Sequence, residues 1–299
     1  MSLMVLIMTN KVTRQKSYQK DGAKLYLVPT PIGNLEDMTF RSIQVLRDVD
    51  IIASEDTRNT QKLLNHFEIT TKQTSLHEHN YKEKIPMLLT MLDEGKSIAQ
   101  VSDAGMPSIS DPGHELVQAC IQHNIDVISL PGATAGVTSL IASGLAVQPF
   151  VFYGFLPRKK NEIKKVLAPY EHLDVTFIFY ESPHRISKTL QSLSEILDEH
   201  TPCCIARELT KIHEEYIRGT LQTVAQDIQQ TSIKGEICLL VEHSASVTTS
   251  NLNKELPLYD QVHYLMDEQG LKSKEAIKEV AKQNGLKKQV VYQAYHQIT

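Results

Sequence analysis

A chain of 299 residues with 41% hydrophobic content is long enough to bury a sizeable core, and its length suits two compact domains with a small appendage. Its formal net charge of −4 excludes the chain-wide basic excess of a non-specific nucleic-acid binder, while leaving room for a local basic patch. The cysteines Cys120, Cys203, Cys204 and Cys238 lack paired CxxC spacing, which argues against structural zinc and for packing thiols in a reducing compartment.

Residues 1–10 are apolar, but no basic region precedes them and no small-residue cleavage site follows. Residues 1–23 are therefore expected to be a mobile lead-in to a cytoplasmic protein rather than a signal peptide. No run approaches the roughly 18 apolar residues that a membrane span needs. An N-terminal α/β domain over 24–147 is read from apolar strand-like runs at 25–28, 51–54, 98–102 and 127–130. Amphipathic helical runs fill the intervals, at 38–46, 81–92 and 114–123, and another follows at 133–143. This βαβα order implies a mostly parallel sheet covered by helices.

Residues 144–149 read as a hinge, after which the alternation begins again in a second α/β domain over 148–243. Strands at 150–155, 176–180, 204–208, 214–218 and 237–242 surround helices at 185–197 and 221–228, which implies some antiparallel pairing. The Ser- and Thr-rich residues 244–254 read as a linker, and 255–299 as a helical segment. Helices at 275–283 and 287–296 flank Asn284-Gly285 in the manner of a helix-turn-helix, a pattern that plain helical hairpins share. Six lysines against two acids give residues 271–299 a net charge of +4, suited to RNA phosphates or equally to a solvated helical face.

In an open parallel sheet, ligands bind where the loops leaving the carboxyl ends of the strands diverge. Four such loops here are rich in Gly, Pro and small polar residues: Pro29-Thr30-Pro31-Ile32-Gly33-Asn34, Glu55-Asp56-Thr57-Arg58, Ser102-Asp103-Ala104-Gly105-Met106-Pro107 and Pro131-Gly132-Ala133-Thr134-Ala135. Glycines let backbone amides approach a ligand and prolines hold a loop in shape beforehand. Each loop alone reads equally as a turn, but four at corresponding strand ends point to a site. Neither GxGxxG after the first strand nor GxxxxGK[ST] anywhere is present, so the ligand is not expected to be gripped by a dinucleotide fingerprint or a P-loop.

Asp103 suits a cationic or hydroxyl part of a ligand, or else caps the following turn. Arg58 suits an RNA phosphate, or a surface salt bridge with Glu55 or Asp56. His77 in Leu76-His77-Glu78-His79 lacks a well-spaced third ligand, so no metal is expected there.

The segments Leu25-Tyr26-Leu27-Val28-Pro29-Thr30-Pro31-Ile32-Gly33-Asn34 and Ser54-Glu55-Asp56-Thr57-Arg58 resemble the small-subunit ribosomal RNA methyltransferases of the tetrapyrrole methylase superfamily. The likeness continues through Val101-Ser102-Asp103-Ala104-Gly105, Asp111-Pro112-Gly113, Gly154-Phe155-Leu156-Pro157 and Phe179-Tyr180-Glu181-Ser182. It ends with Ala206-Arg207-Glu208-Leu209-Thr210-Lys211 and Lys234-Gly235-Glu236, and so spans roughly 25–242. Ala133-Thr134-Ala135 departs from it, since related methylases often carry other small residues there.

The resemblance implies two α/β domains of the tetrapyrrole-methylase type with the cofactor cleft between them. It implies S-adenosyl-L-methionine as cofactor, no metal, a homodimer, no membrane, and small-subunit ribosomal RNA as substrate, methylated on the 2′-oxygen of a cytidine ribose. Carried over by position, Asp103, Ala104, Gly105 and Pro107, with Pro131, Ala133 and Thr134, hold the cofactor from the first domain. Phe179, Tyr180, Leu209, Gly235 and Glu236 approach it from the second. Glu55, Arg58 and Lys211 are the implied catalytic candidates. Two other readings compete: a tetrapyrrole or precorrin methyltransferase with the same fold and cofactor, and a non-enzymatic RNA-binding regulatory module, which a cofactor titration would separate from both enzymes.

Overall fold

The first sheet comprises β1 (Lys24–Leu27), β2 (Ile51–Ser54), β3 (Gln73–Ser75), β4 (Ile98–Val101) and β5 (Asp126–Ser129), hydrogen-bonded in the order β3-β2-β4-β1-β5 with every pair parallel. Connecting them are α1 (Phe40–Asp48), α2 (Thr57–His66), α3 (Tyr81–Asp93) and α4 (His114–Gln122), with α5 (Ala135–Ser143) leaving the last strand. This computed structural model describes residues 12, 14–17, 22–110, 113–231, 233–245 and 256–296. Most of the expected lead-in and linker, and Asp111 and Pro112, lie outside the described residues.

A parallel sheet is covered on both faces, so its strands are apolar almost throughout. β4 is buried at every residue. On one face Val28, Ile52 and Val101 pack against Leu46 of α1 and Leu63 and Leu64 of α2. On the other, Leu25, Ala53 and Ile98 pack against Leu88 of α3 and Leu116 of α4. Each fully buried aliphatic side chain contributes about 1.5–3 kcal/mol. Within the expected lead-in, Gln15 imitates a strand: its side-chain amide donates to the Val127 carbonyl at 2.8 Å and accepts from the Val127 N–H at 3.0 Å, on the outer edge of β5.

Two elements of this half escape the apolar pattern. β3 is Gln-Thr-Ser at the sheet edge, paired with β2 through its backbone. α2 begins at Thr57, inside a stretch expected to be loop, because the Asp56 carboxylate accepts the Arg58 N–H at 2.8 Å and caps the helix.

The second sheet comprises β6 (Phe150–Phe155), β7 (Val175–Glu181), β8 (Pro202–Arg207), β9 (Glu215–Thr220) and β10 (Ile237–His243), in the order β6-β7-β10-β8-β9. β6 and β7 are parallel, while β8 is antiparallel to both β9 and β10. The intervening helices are α6 (Lys160–Leu167), α7 (Ile186–Ile196) and α8 (Leu221–Gln230). The Thr220 hydroxyl caps α8 by accepting from the Thr223 N–H.

Three helices follow: α9 (Leu258–Gln269), α10 (Ser273–Asn284) and α11 (Lys288–His296). They share a core of Val262, Leu265, Ala276, Ile277, Val280 and Val291. α9 falls within the expected helical segment but outside the two-helix hairpin read there, and it supplies part of that core, so the hairpin is part of a three-helix packing. Gly285 turns the chain with a left-handed φ of 65°, and all six lysines of 271–299 are exposed. Contacts divide the described residues into two compact units. One lies within Met1–Ile163 and Thr176–Glu242 and holds both sheets; the other lies within Lys164–Val175 and His243–Thr299. No helix among the described residues is long and apolar enough to cross a membrane.

Candidate functional site

The strand order itself creates a crevice. From β1 the chain passes over β4 to β2 on one side, whereas from β4 it passes over β1 to β5 on the other, so the loops leaving these neighbouring strands part company at their carboxyl ends. Thr30 and Gly105 then stitch the two loops together, each N–H donating to the other's carbonyl at 3.0 Å, and the Thr30 hydroxyl donates to the Ser102 carbonyl. Gly105 has a φ of 76°, in the left-handed region that favours glycine. The β5 loop lies directly against the β1 loop, because any side chain at Gly132 would run into Pro29.

These loops form one wall of a cleft of about 380 Å³ whose other wall is the second sheet, all within one compact unit. From the first sheet Ile32, Ala104, Gly105, Met106 and Thr134 face it. From the second come Tyr180 and Glu181 at the end of β7, Ala206 and Leu209 around the end of β8, and residues 235–238 at the start of β10. Tyr180 is held edge-on by Phe152 and Phe155, with ring centroids 5.1 and 5.8 Å away.

The loop after β8 is strained: Glu208 and Thr210 have φ of 49° and 65°, which costs a non-glycine residue about 1–3 kcal/mol each. An ionic knot holds it. The Lys211 ammonium donates to Glu208 Oε1 at 2.9 Å and to Glu236 Oε2 at 2.7 Å, and Glu208 Oε1 also accepts the Glu236 N–H at 2.9 Å. Gly33 packs over this knot, where a Cβ would come within 2.5 Å of Lys211 Cγ.

The Glu236 N–H, and then the Lys211 ammonium, hold the Glu208 carboxyl below its ordinary pKa of 4.5. Partial burial pulls Lys211 down, but its bonds to Glu236 and Glu208 outweigh that and leave it above its ordinary 10.5. A depressed carboxyl stabilises the fold above its unfolded pKa and loses that contribution as pH falls through the folded one. The melting-temperature difference between wild type and Glu208→Gln is therefore expected to be constant in the neutral range and to vanish well below pH 4.5. A difference that persists unchanged in acid would show that Glu208 acts by packing alone.

Of the residues expected from the resemblance, Ala104, Gly105, Thr134, Tyr180, Leu209, Gly235 and Glu236 line the cleft. Phe179 does not: one residue from Tyr180 along β7, it points to the opposite face, 1% exposed and stacked on Phe177. The Asp103 carboxylate is occupied with the start of α2, accepting from the Asp56 N–H at 3.2 Å and the Asn59 amide at 3.1 Å. Glu55 lies beside it, its Oε2 accepting the Asp103 N–H at 3.2 Å. Pro107, Pro131 and Ala133 belong to the lining loops without lining the cleft themselves, and Lys211 stands behind the wall.

Arg58 takes the salt-bridge alternative. Its guanidinium chelates Asp56 at 2.6 and 3.1 Å, and those side-chain bonds, with the Arg58 N–H, pull the Asp56 carboxyl down to about 2. The sequence reading missed Ile109, Ser110, Pro183 and Cys238, which also line the cleft. Cys238 faces it from within β10, where only its apolar packing was legible. Burial pushes its thiol up to about 12 against a weaker opposing bond from the Ser139 hydroxyl, so it is a protonated wall rather than a nucleophile.

The cleft has a clear electrostatic character. Among the described lining residues are the carboxylates Glu181 and Glu236 and no Lys, Arg or His. Glu181 is 4% exposed and fully engaged, accepting from the Thr189 hydroxyl at 2.6 Å and the Ser182 N–H at 2.8 Å beside the Arg185 guanidinium at 3.3 Å. Such walls favour an uncharged or cationic ligand and offer nothing to a polyphosphate.

Residues 24–225 match the tetrapyrrole (corrin/porphyrin) methylases. Ribosomal RNA small subunit methyltransferase I of Streptococcus pyogenes is 50% identical over 287 residues, which cover 95% of this chain and 99% of that protein. The protein of the same name from Bacillus subtilis is 47% identical over 292 residues, covering 95% and 98%. Among solved structures, uroporphyrin-III C-methyl transferase from Thermus thermophilus complexed with S-adenyl homocysteine is 18% identical. It covers 74% of this chain and 97% of its own with a TM-score of 0.53, a likeness of fold.

Proposed function

The chain belongs to the tetrapyrrole methylase family, and from that premise we propose that it methylates the 2′-oxygen of a cytidine ribose in small-subunit ribosomal RNA, using S-adenosyl-L-methionine, in the cytoplasm. The observation that carries the substrate is identity of about half over 95% of the chain with proteins of that name. The uroporphyrin-III C-methyl transferase of Thermus thermophilus shares the fold alone, at 18% identity.

The cleft suits this cofactor. Its volume of about 380 Å³ falls in the range of small-molecule sites, about 300–1,000 Å³. Small residues, Ala104, Gly105 and Ala206, leave room for a folded nucleoside, and lining carboxylates without lining cations suit a sulfonium. Ala104, Gly105 and Thr134 would hold it from one side, and Tyr180, Leu209, Gly235 and Glu236 from the other.

Held there, the cofactor would supply a methyl group already activated by its sulfonium, and what the chain itself must provide is the position of the ribose hydroxyl and a group to take its proton. The chain's first task is alignment, which is worth about 7–11 kcal/mol in well-oriented reactions. The stitched and glycine-packed loops provide it by being shaped before either ligand arrives. Of the three catalytic candidates, only Glu55 carries a carboxylate, the group type that would take the proton. Arg58 is engaged by Asp56, and Lys211 is kept charged by two carboxylates, which makes it a positioning residue.

The test is incubation with labelled S-adenosylmethionine and small ribosomal subunits from cells lacking the protein, followed by nucleoside mass mapping. Label on a cytidine ribose is expected. No label on RNA, with label on a tetrapyrrole carbon in a parallel reaction given a tetrapyrrole instead of subunits, would overturn the reading, and absence of cofactor binding would remove both enzymes.

A homodimer is part of the proposal. α5 exposes Val137 and Ile141, the latter 74% exposed, and the neighbouring edge strand β6 exposes Phe150 and Phe155. Gly136 brings the two elements together, since a Cβ there would touch the Phe152 ring at 3.2 Å. Exposed apolar side chains on two adjoining elements suit an interaction surface, and a self-complementary surface forms a closed pair. Ile141→Glu is expected to halve the mass seen by light scattering at micromolar concentration; a wild type that is already monomeric would overturn the pairing.

A further inference from the structure

We infer that a second groove, opening beside the cleft, seats the phosphates of the RNA strand on either side of the methylated ribose. The inference rests on the reading of the chain as an RNA methyltransferase and adds where the RNA lies. The groove, of about 380 Å³, runs between the loop after β6 and the first turns of α7. Its lining includes Arg158, Ser182, His184, Arg185 and Lys188 and, among the described residues, no carboxylate. Ser182 belongs to the walls of both cavities, so the groove meets the cofactor cleft at that residue.

The cations of this region divide into two kinds. Some are structural: Lys159 pairs with Glu162 and Lys160 with Glu195, while Arg185 donates to the Leu156 carbonyl at 2.8 Å and lies 3.3 Å from Glu181. Arg185 thus ties the β6 loop to the end of β7 and builds the groove's floor. Arg158, His184 and Lys188 are exposed, and their side chains form no hydrogen bond or ion pair with other described residues.

A single exposed lysine is a solvated charge and predicts nothing. The Arg158 and Lys188 side chains, with the His184 imidazole between them in sequence, line a concave wall without an acid, and on a chain of net charge −4 the two cations form a local positive field that the composition does not require. The adjoining cleft offers a phosphate no lining cation, so the two cavities sort the substrate. The ribose enters past Ser182 toward the methyl donor, and the charged backbone stays in the basic groove. A strand splayed in this way presents its phosphates to flexible cations, which bind by releasing counterions and without reading sequence.

The test compares the double variant Arg158→Gln/Lys188→Gln with Lys82→Gln/Lys96→Gln, which makes the same charge change on α3 and the loop after it. Methylation of small subunits is measured across a fourfold salt range, and cofactor affinity by calorimetry reports the fold. The groove variant is expected to raise KM for the RNA about tenfold and to flatten the slope of log KM against log salt by about 1.4, or about 0.7 per phosphate of a single strand. Its kcat and cofactor affinity should match the wild type. An unchanged KM and slope in the groove variant, or an equal loss in the α3 control, overturns the inference. Failure of the functional reading looks different, because the wild type itself would then leave RNA unmethylated.

Discussion

Glu55→Gln is expected to lower kcat for RNA methylation by about 10²–10⁴-fold, the usual contribution of a general base, while cofactor affinity stays at the wild-type value. The neutral ribose hydroxyl is a poor nucleophile, so the proton needs an acceptor close to the reacting oxygen. Glu55 follows β2, its N–H donating to the Val101 carbonyl at 3.3 Å and its Oε2 accepting the Asp103 N–H at 3.2 Å. That bond places it one residue from Ala104, which lines the cleft. Glutamine keeps an oxygen for the Asp103 N–H and so preserves the loop, but it cannot take a proton. Single-turnover kinetics separate the roles: the chemical step should slow while RNA and cofactor affinities hold, and an undiminished rate at saturating RNA would remove Glu55 from the chemistry.

Gly235→Ala is expected to weaken binding of S-adenosylmethionine by about 10–100-fold, since each tenfold corresponds to about 1.4 kcal/mol and forced backbone strain costs about 1–3 kcal/mol. Gly235 has a φ of 90°, and a Cβ there would come within 2.5 Å of the Glu208 carboxyl. That carboxyl cannot retreat without dropping the Glu236 N–H and the Lys211 ammonium, so residues 234–236 must shift, and Gly235 and Glu236 line the cleft. Gly95→Ala is the control. It meets a similar φ of 91° with nothing within 4 Å, and should lower the melting temperature while leaving cofactor affinity intact. Equal affinity losses in the two variants would mean that strain anywhere, rather than displacement of this wall, is responsible.

Much of this architecture is written in short stretches of chain. Buried parallel strands must be apolar at successive residues, so 51–54 and 98–102 announce β2 and β4. Glycine and proline at strand ends mark loops that must approach a neighbour closely, and Gly33, Gly132 and Gly235 do so. Motifs in a constant order over most of the chain carry the family. Elements that bury little apolar surface escape this kind of reading: β3 is held by backbone bonds to β2, and α2 by a cap and two leucines.

Which way each side chain of the site faces was decided only by the folded chain. Period-two alternation says that Phe179 and Tyr180 point apart, but which of them meets the cleft depends on which face of the second sheet receives the loops of the first. Asp103 reads locally as a ligand carboxylate, yet it serves the start of α2, 47 residues away along the chain. The Asn34 N–H finds the Thr210 hydroxyl across 176 residues and brings the β1 loop onto the Lys211 knot. Propensity, capping and periodicity act over a few residues and are therefore legible in sequence. Charge pairing and the choice of face depend on groups that only tertiary packing brings within a few ångströms.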